Sequence, residues 1–208
     1  MTCYVLFYCR LGRGMDVSNY LTRLQHTIAA NGQSFDSKSR ELAELIISTW
    51  KNSGSIYICG NGGSASSCEH FVIDLLNIRS QSFTQRIRVE ALTANSAVLT
   101  AISNDINFNN VFATQITKKA QSGDLLYMIL HQETPPNIIL AAETAMKMGI
   151  QFFSVIGFDG GKLLELSSQS FLCKTVEGEY GVVEDVHLAF LHCTSESIKL
   201  MTKGVEFV

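Results

Sequence analysis

Residues 55–59 (S-I-Y-I-C) form an apolar run that stops at Gly60, Asn61, Gly62, Gly63 and Ser64, after which a helical pattern resumes through Leu76. A buried strand that turns into a helix across three glycines in four residues demands an α/β architecture. Further short runs at 88–92, 124–130, 151–156 and 171–176 read as strands. Helical stretches at 137–148 and 183–203 alternate with them. Apolar strands separated by helices of ten or more residues predict βαβ units and a doubly wound parallel sheet flanked by helices. Ahead of the first strand, apolar residues recur at helical spacing from Leu21 to Trp50. Gly32 predicts a break there into two helices, a lead-in with no core of its own that packs on the domain or on another subunit.

The chain of 208 residues supports one sizeable core, so a single domain is expected over 15–208, preceded by an extension at 1–14. In that extension the apolar stretch precedes the arginines, the reverse of a secretory signal. A net charge of −3 leaves no electrostatic footprint for nucleic acid. No apolar run approaches the roughly 20 residues of a membrane helix. Cys3, Cys9, Cys59, Cys68, Cys173 and Cys193 show no paired spacing. Buried free thiols in a reducing, cytoplasmic setting are therefore expected.

Ligands of parallel α/β sheets bind where strands run into helices. The glycine turn stands at such a place: its backbone can approach an anion closely, and the helix behind it offers free N–H groups. It matches neither the dinucleotide nor the P-loop spacing. His70 and Asp74, four apart, share one helix face. Glu184 and His192, eight apart, lie about two turns apart on the closing helix. Two imidazoles and two carboxylates suit a tetrahedral zinc site or an acid–base pair, and the same spacing serves a solvated surface pair.

The stretch C-G-N-G-G-S-A-S-S-C-E-H-F at 59–71 resembles the signature of phosphoheptose isomerases, which are SIS-domain proteins. So do L-T-A-I-S-N-D at 99–105, G-D-L-L at 123–126, D-G-G-K-L at 159–163 and E-D-V-H-L-A-F-L-H at 184–192. The resemblance implies a SIS fold and isomerisation of sedoheptulose 7-phosphate to D-glycero-D-manno-heptose 7-phosphate for cell-envelope sugars such as lipopolysaccharide. It also implies a homotetramer with shared active sites, and one Zn2+ per subunit. By the same resemblance His70, Asp74, Glu184 and His192 form the metal set, with Asp74 as base and His192 as acid. Asn61, Gly62, Gly63, Asp74, Asn104, Asp105 and Glu184 would contact the sugar, Asn104 and Asp105 from a turn. Ser64 reads as a helix N-cap, and His187 as a packed or surface residue without a role.

Three features depart from the family pattern. Asp74 stands where the family carries glutamate, and a misplacement of about 1 Å can cost ~100-fold in rate. Glu184 replaces a glutamine, adding charge that favours a divalent ion. The stretch 130–137 (L-H-Q-E-T-P-P-N) lacks the family's hydroxyl-rich phosphate loop and holds both prolines of the chain. Pro136 suits a first helical position, while Glu133 would set a carboxylate at the helix start that a phosphate would otherwise use. His131 and Thr134 remain to compensate. A non-catalytic sugar-phosphate-binding or regulatory protein is the alternative to an enzyme.

Overall fold

The computed structural model describes residues 17–131 and 135–203, and the backbone of 205–206. The extension at 1–14 lies outside the described residues. Helix α1 spans Val17–Lys51, followed by β1 (Ser55–Gly60), α2 (Gly63–Leu76), β2 (Ile78–Arg79), β3 (Arg88–Ala91) and α3 (Ser96–Asp105). A 3-10 turn at Phe108–Asn110 leads to α4 (Ala113–Lys119), β4 (Leu125–Leu130), α5 (Pro136–Lys147), β5 (Gln151–Gly157), α6 (Gly161–Leu166) and β6 (Ser170–Cys173). The chain closes with α7 (Tyr180–Thr202) and β7 (Val205–Glu206).

The main sheet is parallel throughout, in the order β3-β1-β4-β5-β6. Its central strands β1, β4 and β5 are buried on both faces, and alternate residues enter two cores. Ile56, Ile58, Tyr127, Phe153 and Val155 pack under α1, α2 and α7. Tyr57, Cys59, Met128, Phe152 and Ile156 pack under α4, α5 and α6. Winding reverses between β1 and β4, and the crevice outside the carboxyl ends of strands at such a reversal is where α/β sheets hold ligands. The residues that directly follow β1 and β4, Asn61 and His131, both border a cavity there.

The lead-in is one helix of 35 residues rather than two. Gly32 faces open space, with nothing near its missing side chain. A helix absorbs such a glycine at about 1 kcal/mol relative to alanine, which packing further along repays. Its second half is buried through Leu42, Ile46 and Trp50, whereas Val17 and Leu21 in the first half are exposed. β2 and β7 form a two-stranded antiparallel pair that the sequence pattern does not announce. No helix among the described residues is long and apolar enough to cross a membrane. Cys59, Cys68 and Cys173 are buried free thiols, as expected; Cys193 is free but exposed.

Candidate active site

The glycine turn is shaped by contacts that leave no room for side chains. A Cβ at Gly60 would lie 2.8 Å from the Cβ of Ser64 and 3.0 Å from the carbonyl oxygen of Ile129. Gly62 has φ 55° and ψ −122°, a conformation that side-chain-bearing residues rarely adopt. A Cβ at Gly63 would strike the Glu184 carboxylate, which therefore sits directly over the first turn of α2. That end of a helix carries partial positive charge, so the carboxylate is well placed there. Asn61 exchanges two amide hydrogen bonds of 2.9 Å with Asn137, tying the turn to the start of α5.

A cavity of about 270 Å³ opens beside this turn, lined by Asn61, Gly62, Gly63, Ser64, His131 and Glu184, with Pro135 and Tyr180 at its edge. Ser64 is not the helix cap; Gly62 takes that position, and Ser64 turns inward from the second helical residue. Its hydroxyl lies 3.0 Å from His131 Nδ1, which is 3.3 Å from a Glu184 carboxylate oxygen. Burial pushes the His131 imidazole down to about 4, because a charged ring is poorly solvated there. The half-exposed Glu184 carboxylate does not offset that cost. His187 lies behind His131, ring centroids 5.1 Å apart. It is fully buried, and no partner among the described residues makes a well-formed hydrogen bond to either ring nitrogen, the Ile156 backbone giving only a minor favourable interaction. Burial holds it well below the usual histidine range, and the neighbouring His131 adds to this.

A second cluster forms where α2 crosses α7. His70 and His192 point their Nε2 atoms at each other across 3.0 Å. Asp74 Oδ1 lies 3.6 Å from His70 Nε2, and Asp74 Oδ2 lies 3.9 Å from His192 Nε2. One donor atom from each residue falls within 4.8 Å of the others. Two facing imidazole nitrogens need a shared proton or a cation between them. Asp74 Oδ2 is buried without a hydrogen-bond partner. The donor set therefore fits a three-ligand zinc site with an open fourth position.

Of the residues expected to act together, the fold thus unites His70, Asp74 and His192. It sets Glu184 about 12 Å further along α7, eight residues at 1.5 Å each, against His131. Asn61, Gly62 and Gly63 line the cavity. Asn104 and Asp105 do not; they are exposed and bonded to each other at 2.9 Å, in the last turn of α3 rather than in a loop. Pro136 is the first residue of α5, as its fixed φ predicts. Gln132, Glu133 and Thr134 lie outside the described residues. The Ser64–His131–Glu184 contact escaped the sequence reading, since its members are separated by 67 and 53 positions. The only trace was a histidine following the fully apolar β4.

The SIS domain family profile matches residues 19–158. A phosphoheptose isomerase of an Azoarcus species is 33% identical over 167 residues, covering 80% of this chain and 84% of that protein. The phosphoheptose isomerase of Mycobacterium tuberculosis is 31% identical over 162 residues, covering 77% and 81%. The solved structure of the phosphoheptose isomerase of Neisseria gonorrhoeae superposes with a TM-score of 0.81 at 24% identity, over 88% of this chain and 97% of that one, and shows the same fold. Family profile, sequence relatives and fold agree: the chain belongs to the SIS-domain family, on its branch of phosphoheptose isomerases, which are aldose–ketose isomerases.

Proposed function

We propose that this protein is a phosphosugar isomerase, and that its reaction is the interconversion of sedoheptulose 7-phosphate and D-glycero-D-manno-heptose 7-phosphate. The observation that carries the reading is the convergence of His70, Asp74 and His192, brought together from helices 122 positions apart. Moving a carbonyl from C2 to C1 means removing a proton from C1 and delivering one to the C2 oxygen. The proton then returns to C2 as the C1 oxygen gives up its own. Asp74 is the base at carbon, and His192 serves the oxygens.

Zinc bound by His70, Asp74 and His192 would polarise the sugar oxygen as a Lewis acid. Asp74 has two oxygens and can share them between ion and substrate. His192 offers one nitrogen to the cluster, so ion binding and proton delivery compete for that atom. From the cluster, a seven-carbon chain reaches roughly 8–10 Å, towards Glu184 and the cavity of the glycine turn, which would take its far end. By family resemblance the protein works as a cytoplasmic homotetramer in cell-envelope heptose synthesis, with Asn104 and Asp105 completing a site across subunits.

His192→Ala should abolish ketose-to-aldose conversion while leaving assembly intact, read by an isomerase assay with and without zinc, metal analysis and sedimentation. Retained conversion in that variant would remove His192 from the mechanism. One observation favours a second reading, a non-catalytic sugar-phosphate-binding protein: Glu184 sets a negative charge in the cavity meant for the far end of the substrate. Binding of sugar phosphate without turnover in the wild type, at any zinc concentration, would select that reading.

A further inference from the structure

Several hydroxyls on the helices of this molecule turn back to their own backbone. Ser67, Thr117, Thr144 and Thr194 each donate to the carbonyl four residues earlier. Ser64, in the first turn of α2, does not. Its hydroxyl lies 3.0 Å from Nδ1 and 3.2 Å from Nε2 of His131. The same ring meets Glu184, whose Oε1 is 3.3 Å from Nδ1. A hydroxyl, an imidazole and a carboxylate thus stand in one chain of contacts, drawn from α2, the end of β4 and α7. The cluster of His70, Asp74 and His192 includes none of the three.

The imidazole is held in place from behind. Gly157, at the end of β5, admits the His131 backbone: a Cβ there would lie 3.1 Å from its carbonyl oxygen. His187 backs the ring, with centroids 5.1 Å apart and planes tilted by 33°. Ser64 is 2% exposed and His131 6%, yet both line the cavity of about 270 Å³. With Glu184 at Nδ1, the ring presents Nε2 to the hydroxyl, which is the order nucleophile, base, orienting carboxylate. Burial keeps the ring neutral, the form that accepts a proton. The charge it gains while holding one is met by the adjacent Glu184.

We infer that Ser64 is a nucleophile towards small carboxylic esters, a further activity of this molecule, with His131 as its base and Glu184 holding the imidazole. Ser64 Oγ bonds to the acyl carbon as its proton passes to His131 Nε2. The bond from that carbon to the alcohol oxygen then breaks, and the leaving alkoxide takes the proton from Nε2. Water attacks the acyl-serine and gives a proton to Nε2, the carboxylic acid departs, and the proton returns to Ser64 Oγ. Leu130, Pro135 and the Tyr180 ring line the same cavity and offer apolar walls to an acyl chain of a few carbons. A neutral ester meets no charge repulsion from Glu184. This inference does not rest on the isomerase reading.

The full-length protein should release p-nitrophenol from p-nitrophenyl acetate. Methanesulfonyl fluoride, a small serine-directed reagent, should stop that release and leave its adduct on Ser64, located by peptide mass spectrometry. Ser64→Ala should lose the release, and His131→Gln should slow it by roughly 100-fold. Ser66→Ala, which alters an exposed serine of the same helical turn, should hydrolyse and label as the wild type does. Heat-denatured protein should do neither. Circular dichroism checks the fold of each variant, and the adduct mapped on the wild type decides the matter if a variant misfolds. Absence of an adduct on Ser64 in the wild type overturns the inference. So does undiminished release in folded Ser64→Ala or His131→Gln, or labelling of denatured protein equal to that of the native form.

Discussion

His131 shows how a single buried ring couples the candidate site to pH. Its folded-state value of about 4 lies below the 6.5 of an exposed histidine. Between those values the unfolded chain takes up a proton that the folded protein refuses. Stability is therefore fully present above pH 6.5 and is lost as pH falls towards 4, by about 3 kcal/mol for this residue. Urea midpoints measured from pH 7 to 4.5 should decline, and His131→Gln should decline less steeply. Some slope will remain, because His187 is shifted in the same direction. Two glycines nearby should respond differently to alanine. At Gly63 the new methyl meets the mobile end of Glu184, so stability should change by under about 1 kcal/mol while substrate KM shifts as the carboxylate moves. At Gly60 it meets Ser64 and backbone, and about 1–3 kcal/mol should be lost in a denaturation series. The sequence brought out Asp74 and His192 through the family resemblance, since helical spacing alone serves a solvated surface pair equally well. It marked His131 only as a residue of the altered loop, because nothing local announces partners that come from α2 and α7.

At the scale of elements, the central strands β1, β4 and β5 were legible because they are buried on both faces and read as nearly unbroken apolar runs. The α3–α4 region was not, since α3 has no fully buried residue and α4 spans only seven positions. The expected break at Gly32 failed for a related reason. Propensity gives a local preference, and contacts between α1 and α7 outweigh it. Helix α7 is fixed by Phe190, stacked on Phe171 at 4.3 Å and 10°, with Phe153 beyond at 6.2 Å. Phe190→Ala should cost about 3–5 kcal/mol in chemical denaturation. Because the same helix carries Glu184 and His192, activity in that variant should fall at temperatures where the fold still holds.

For the whole molecule, strand alternation implied the class of fold, but the strand order and the reversal between β1 and β4 emerged only in three dimensions. The first half of α1 exposes Val17, Leu21 and Ile28, apolar residues that a subunit contact would cover. If the protein assembles as proposed, Leu21→Glu combined with Ile28→Glu should shift its sedimentation towards smaller species while circular dichroism stays unchanged. An unaltered assembly would place the contact elsewhere.

The opening helix also reaches the end of the fold that carries the chemistry. Tyr20 donates a 2.6 Å hydrogen bond to Asp185, and Arg23 pairs with Glu179 at 3.1 Å, both at the start of α7. Burial and Asp185 push the Tyr20 phenol up to about 12, so it keeps its proton throughout the working range of the protein. Asp185 directly follows Glu184. The first and last helices described are thus strapped together one residue from the cavity rim, and a disturbance of the first turns of α1, 165 positions away in sequence, should displace the Glu184 carboxylate.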